Sequence, residues 1–471
     1  MIKKTKIVAT IGPATSSIEM LEKLLKIGMN VVRLNFSHGD FAEHQEKVDN
    51  FKKAMEATGI SGAVLQDLSG PKIRLGEFST ERVELIAGKH ITITTDKIIG
   101  DEKHVSINYS LFPKEVKRGD KIMVDDGKKK FEVISIKGNN VLCKILVGGD
   151  TKGRRGVNLP DSELTIKSLT EKDIKDIEFG IKNKVDFFAL SFVRNPEDII
   201  DLRNILNKRK SNAKIIAKIE TPQAVKNIDA ILDLCDGLMV ARGDLAIEVP
   251  AEKVPMIQKM LIKKCNDVGK IVITATQMLE SMIKSPVPTR AEVSDIANAI
   301  LDGTDAVMLS EETTLGDYPL EAVRMMAKVA FDIEHNYPER KLIPKAEKGK
   351  RSITDSITGS VIKTAHDIGA SAIIALTKTG YTARMISRHK PTSPIIAVTS
   401  NEVALHQLHA SFGCLPIFVE GYNTVPVAFK QVREYCLKNK IVNKGDKVVI
   451  VACSSLEKKD ISANMIVVET I

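Results

Sequence analysis

Residues 214–220, KIIAKIE, read as a buried strand until Lys218 and Glu220 interrupt it. Ile215, Ile216, Ala217 and Ile219 ask for an interior, yet a cation and a carboxylate stand two residues apart at the end of the run. Residues i and i+2 of a strand point to the same face, so both charges enter one small space. Removing them from water costs several kcal/mol per ion unless partners or a metal compensate. A buried Lys–Glu pair is the structural alternative, and a reactive site needs more residues of the same kind beside it.

The same grammar recurs along the chain. KIVATIG (6–12), NVVRLNFS (30–37), AVLQDL (63–68), VDFFALSF (185–192), GLMVARGD (237–244), KIVITATQ (270–277) and DAVMLSEE (305–312) are short apolar runs separated by longer amphipathic stretches. That alternation marks parallel strands with crossover helices. Together with KIIAKIE they make eight units and predict a (β/α)8 barrel, a fold that carries its reactive residues on the C-terminal ends of its strands. The polar residues obey that rule: Arg33, Asn35 and Ser37; Asp67; Ser191; Lys218 and Glu220; Arg242 and Asp244; Thr276 and Gln277; Ser310 and Glu312 all close their runs.

From about Pro71 to Ile166 the texture changes. ITITT, DKIMVDDGKKKFEVISI and NNVLCKILV alternate with period two and are punctuated by Asp-Gly, Gly-Asn and Gly-Gly. This predicts a small antiparallel β domain inserted in a βα loop, placed on the active face where it can act as a lid that excludes water. NYPERKLIPKAEKGK (336–350) reads as a linker. Beyond it, SAIIALT, PIIAVTS, CLPIFVE, KVVIVAC and MIVVETI imply a separate five-stranded α/β domain. The expected division is 1–69 with 167–340 for the barrel, 70–166 for the inserted β-barrel lid, and 345–471 for the C-terminal domain.

With 471 residues, 43% hydrophobic and 27% charged, the composition is that of an ordinary soluble protein. No apolar run approaches the ~18 residues of a membrane span, and the N-terminal MIKKTKIVATIG has no leader pattern, so a cytoplasmic protein is expected. Six cysteines without a CxxC pair argue against a zinc site or a disulfide framework. The net charge of +9 is interleaved with 60 acids, and aromatics make up 4%, so no nucleic-acid stacking platform is visible. The excess favours small anions.

Glu220 and Asp244 offer hard oxygens from neighbouring strands, and Mg2+ is usually held by one or two carboxylates with substrate and water completing its shell. Lys218 beside such an ion suits stabilisation of a transferring phosphoryl group. Gly243 lets backbone approach a ligand, although Asp244 as a plain helix cap is an equal reading of VARGDL. Arg33, Arg74, Arg154 and Arg155 supply forked donors for phosphates. Thr276 and Ser191 close apolar strands and could handle a carboxylate or protons through water, while most such residues merely satisfy backbone. Thr377, Lys378, Thr379, Gly380 and Thr382 follow a C-terminal strand, where a loop can cradle a phosphate or form an ordinary capped turn.

With these residues in place, the chain resembles the pyruvate kinases over essentially its whole length. TIGPAT, MNVVRLNFSHG, GPKIR, RRGVNLP, KIE, VARGDL, ATQMLESM and PTRAEVSDIANAILDGTDAVMLSEET occur in that family's order. The resemblance implies phosphoryl transfer from phosphoenolpyruvate to ADP, followed by protonation of the enolate, with Mg2+ (or Mn2+) as cofactor. It implies Lys218, Arg33 and Thr276 as catalytic residues, Glu220 and Asp244 as metal ligands, and Arg33, Ser191, Lys218, Gly243, Asp244 and Thr276 around phosphoenolpyruvate. Asn35, His38, Arg74 and Arg155 would border the nucleotide. A C-terminal effector domain and a homotetramer are implied as well.

Three departures stand out. Family members that need K+ place it near the positions of Asn35, Ser37, Asp67 and Leu68, with glutamate in GPEIR where this chain has Lys72; a fixed ammonium there predicts independence from K+. Glu311 replaces the glycine of LSGET. CSSLEKKDISANMIVVETI lacks the Gly- and Thr-rich loop of a fructose 1,6-bisphosphate site, which leaves a sugar phosphate or nucleotide as the expected effector at 377–382. The competing readings are a barrel aldolase or lyase using Lys218 as a Schiff base, and a basic nucleic-acid binder.

Overall fold

The computed structural model describes residues 3–336, 352–420, 425–453 and 463–471. Each of the eight quoted runs supplies one parallel strand: Lys6–Thr10, Val31–Asn35, Ala63–Asp67, Phe187–Leu190, Lys214–Ile219, Gly237–Ala241, Ile271–Ala275 and Ala306–Leu309. They close into a barrel in chain order.

Alternation decides what enters that barrel. Val8, Val31, Ala63, Leu65, Phe187, Ala189, Ile216, Met239, Ile273 and Met308 fill the interior as one cluster. Intervening residues such as Leu34, Ile215, Ala217, Leu238 and Val240 face outward and pack under the helices. Continuing the interior rows by two residues gives Thr10, Arg33, Asp67, Ser191 and Lys218, so the period that buries the core also aims these polar side chains at one axis. Reciprocal capping boxes start two of the crossover helices, from Thr170 and Asp173 and from Thr289 and Glu292.

The insert leaves the barrel after Asp67, at the C-terminal rim. It forms a six-stranded sheet and a two-stranded pair over its own core of Ile91, Ile93, Phe112, Phe131, Val133 and Val141, among others. Most pairs are antiparallel as expected; His90–Thr94 and His104–Ser106 run parallel. The C-terminal unit is a five-stranded sheet with an antiparallel edge strand, Met465–Thr470.

That unit docks on the opposite end, the barrel floor. Lys390 Nζ lies 2.6 Å from Asp305 Oδ1, Gly413 N donates to Lys4 O at 2.9 Å, and Gln407 Nε2 donates to Asn212 O at 2.9 Å. The linker assigned to 336–350 lies, apart from Asn336, outside the described residues, as does 454–462 of the C-terminal loop. No helix among the described residues is long and apolar enough to cross a membrane. All six cysteines are free, and all but Cys453 are buried.

Candidate active site

Lys218 sits at the centre of the rim. Its Nζ donates to Ser191 Oγ at 2.7 Å and pairs with Glu220 Oε1 at 2.9 Å and Asp67 Oδ1 at 3.3 Å. Asp67 is shared, because its Oδ2 accepts from Arg33 Nε at 2.8 Å while Arg33 Nη1 donates to Thr10 Oγ1 at 2.9 Å. Glu220 uses its second oxygen to accept from Phe192 N at 2.7 Å, and Phe192 holds φ 53° to present that N–H. Ser191 donates onward to Leu68 O at 2.7 Å.

Burial alone would push the Lys218 ammonium toward neutrality, but Asp67, Glu220 and Asp244 outweigh it and hold its pKa above the usual lysine range. Burial likewise opposes the charge on Asp67, and Lys218 and Arg33 overcome it, so that its carboxyl titrates below the ordinary value. The cluster is therefore charged, and it has a carboxylate left over.

Asp244 is that surplus. It stands third in the helix Arg242–Glu248, whose N-cap is Ala241, so the cap reading of VARGDL does not hold. Asp244 makes no ion pair or side-chain hydrogen bond among the described residues, and burial followed by the nearby Glu220 pushes its pKa up to about 6. Asp67, and Asp126 in a turn of the insert, contribute to that rise against the pull of Lys218. Two crowded carboxylates with one unpaired match the protein share of a Mg2+ shell. Among the described residues no three His, Cys, Asp or Glu side chains form a ready-made metal cage, so other oxygens must complete one.

Gly243 and Thr276 meet, with Gly243 N donating to Thr276 Oγ1 at 2.8 Å and Thr276 Oγ1 donating to Ala275 O at 2.6 Å. Thr276 and Gln277 have φ 68° and 53°, and a β-branched residue in that region is strained. Arg242 braces this turn from below. Its Nη2 donates to Thr276 O at 2.7 Å, and its Nη1 pairs with Asp295 at 2.6 Å.

The residues assigned to the nucleotide are spread along the mouth. Arg74 is exposed and bridges Gly156 in an isolated pair, which sets it beside Arg155; Arg155 Nε lies 3.4 Å from Asp125. Arg154, the other arginine of that loop, pairs instead with Glu77 inside the insert. His38 is exposed, and Asn35 Oδ1 accepts from Ser37 N at 3.1 Å. In the K+ set, Ser37 Oγ donates to Ser69 Oγ at 3.3 Å, while both Asp67 oxygens already serve Arg33 and Lys218. Lys72 is half-buried, and its pKa is lowered by burial, then by Arg74 and Lys218, against the pull of Asp244 and Asp67. Glu311 is exposed at the first position of the helix Glu311–Thr314 with a negative φ, so this backbone does not demand glycine.

Thr377, Lys378 and Thr379 follow the strand Ala372–Leu376, and Gly380 caps the helix Tyr381–Ser387 with φ 78°; Thr382 is buried in that helix. Sequence reasoning gave no role to Thr10, to the Arg242–Asp295 brace, or to Glu248, which accepts from Asn158 of the insert at 2.7 Å. Thr10 was findable, since it holds the strand-end position that Arg33 and Asp67 hold in their runs. Asp295 and Asn158 carry no local signal, because each meets its partner only after the chain has folded.

A closed barrel with cations and carboxylates gathered at its rim beneath an inserted β domain defines a phosphotransferase-like site. Residues 2–323 match the model of the family described as pyruvate kinase, barrel domain, and residues 355–469 that of pyruvate kinase, alpha/beta domain. The chain is 44% identical over 455 residues to the pyruvate kinase of Bacillus licheniformis, covering 96% of this chain and 78% of that one. It is 42% identical to that of Clostridium perfringens, covering 96% of each. A solved pyruvate kinase structure from Cryptosporidium parvum superposes with TM-score 0.94 at 36% identity, over 99% of this chain and 96% of that one. The chain belongs to the pyruvate kinase family, and it is a phosphotransferase.

Proposed function

We propose that this chain transfers the phosphoryl group of phosphoenolpyruvate to ADP in glycolysis, with Glu220 and Asp244 holding a Mg2+ or Mn2+ ion. The observation that carries this reading is the meeting of Lys218 with Glu220, Asp67 and Ser191 at 2.7 to 3.3 Å beside an unpaired Asp244. When bound, the ion would draw negative charge from the phosphoryl and carboxylate oxygens of the substrate. Lys218 and Arg33, both anchored by Asp67, face the phosphoryl group and stabilise charge as it moves. Gly243, Ser191 and Thr276 receive the remainder of phosphoenolpyruvate. Thr276 is the hydroxyl through which, by way of water, a proton reaches the enolate carbon to give pyruvate.

Asn35, His38, Arg74 and Arg155 border ADP, and the insert, 70–166, closes over the barrel of 1–69 and 167–340. Lys72 stands in electrostatic range of Asp67 and Asp244, where it substitutes for K+. The C-terminal domain, 345–471, takes a sugar phosphate or nucleotide at 377–382 and supports a homotetramer in the cytoplasm. An ammonium held charged by three carboxylates is a poor amine nucleophile, which disfavours the Schiff-base alternative.

A coupled assay with phosphoenolpyruvate, ADP and Mg2+ in Na+ and in K+ tests this. Pyruvate should form at equal rates in both. No pyruvate in either would refute the reaction, and strong K+ activation would refute the part given to Lys72.

A further inference from the structure

Where the C-terminal domain meets the barrel floor, a cavity of ≈ 10 Å3 opens between Asn266, Arg388 and Ser411. Three side-chain atoms of these residues, Asn266 Oδ1, Arg388 Nε and Ser411 Oγ, are buried without a hydrogen-bond partner among the described residues. The residues are only 6%, 6% and 1% exposed. Leaving polar atoms orphaned at that depth is costly, and three on residues lining one cavity call for an occupant.

Several surrounding groups have partners of their own. Arg388 Nη1 donates to Asp267 O at 3.1 Å, and its Nη2 pairs with Asp355. Lys270 Nζ donates to Asp233 O at 3.0 Å and also to Leu232 O. Asp305 is taken by Lys390 and by Val272 N, and Arg384 Nη1 donates to Thr379 O at 3.2 Å.

Donor and acceptor directions identify the occupant. Asn266 Nδ2 donates to Gly303 O at 3.0 Å, so turning the amide over would oppose two oxygens. Its Oδ1 is therefore left as an unpaired acceptor and Arg388 Nε–H as an unpaired donor, on residues that both line the cavity. A halide or phosphate oxygen would answer Arg388 and repel Asn266. We infer that a single water molecule is bound here, accepting from Arg388 Nε, donating to Asn266 Oδ1 and completing a third bond with Ser411 Oγ. The size agrees, since one water needs a cavity of about 10–15 Å3 and typically makes about three bonds.

The backbone keeps the space small. Gly269, the left-handed cap of the helix Val254–Val268 with φ 70°, lies so close to Met385 that a Cβ there would come within 1.9 Å of its Cε. The water joins the last turn of that helix, which leads into the strand Ile271–Ala275 and Thr276, to the end of the helix that starts at the 377–380 loop.

A crystal structure of the full chain at about 1.8 Å or better, from a bromide-containing medium, tests the inference. The expected result is one peak within hydrogen-bond distance of all three atoms and no anomalous signal at the bromine edge. A bromide signal, an empty cavity, or a direct Arg388–Asn266 bond would each overturn it. Ser411→Ala removes no protein–protein side-chain bond and should fold. The water should then stay on its two remaining partners with larger displacement, and a peak unchanged in position and displacement would overturn the part given to Ser411.

Discussion

Both ends of the barrel bury charge, and they do so differently. At the floor Lys390 and Asp305 are 6% and 7% exposed and answer each other one to one. At the rim Lys218 is shared among carboxylates, Asp67 is shared between two cations, and Asp244 has no ion pair or side-chain hydrogen bond among the described residues. The rim also contains Phe192, Thr276 and Gln277 with positive φ. The Lys390–Asp305 pair is complete without a ligand; the rim is arranged for something that arrives. Strain together with uneven charge separates a site from a joint, even where burial is the same.

The sharpest break of that contrast is Lys218→Ala, which should lower kcat on the order of a thousandfold while circular dichroism shows the fold retained. At the floor, Lys390→Met strands Asp305 and should cost about 3 kcal/mol in chemical denaturation, with kcat within about twofold of the parent; a large loss of kcat would erase the distinction between the two ends. Arg242→Met releases the strained Thr276–Gln277 turn and should reduce kcat roughly tenfold with little change in KM, as expected for a group that positions a reactive side chain.

The smallest expected effect concerns Glu248, which links the rim to the insert. Burial pushes its pKa up to about 7, against the pull of Asn158 and Arg194. A carboxyl whose folded pKa lies above its unfolded value contributes stability below the unfolded pKa and loses it as pH rises through about 7. The Tm of the metal-free protein should therefore fall relative to that of Glu248→Gln between pH 5 and pH 8. Parallel curves would contradict the shift.

Much of this was legible in the residues themselves. Eight apolar runs ending in polar residues specify strand number and place the reactive face, because side-chain alternation and the barrel's geometry leave little freedom. KIIAKIE alone shows that Lys218 and Glu220 share a face. That Asp67 binds both Lys218 and Arg33 was not legible, since it depends on how the interior rows of separate strands meet at the axis. Arg154 looked equivalent to Arg155 in GRRG, yet a positive φ of 60° turns it toward Glu77. The Asp244 cap reading failed because the helix begins at Arg242, before the acid, a boundary that local sequence sets to within only a few residues.

The proposed chemistry rests above all on Glu220 and Asp244 holding one divalent ion beside Lys218. Titration of the full chain with Mn2+, followed by electron paramagnetic resonance, measures this directly. One ion should bind per chain, with affinity at least about tenfold weaker in Asp244→Asn. Equal affinity in parent and variant would contradict it.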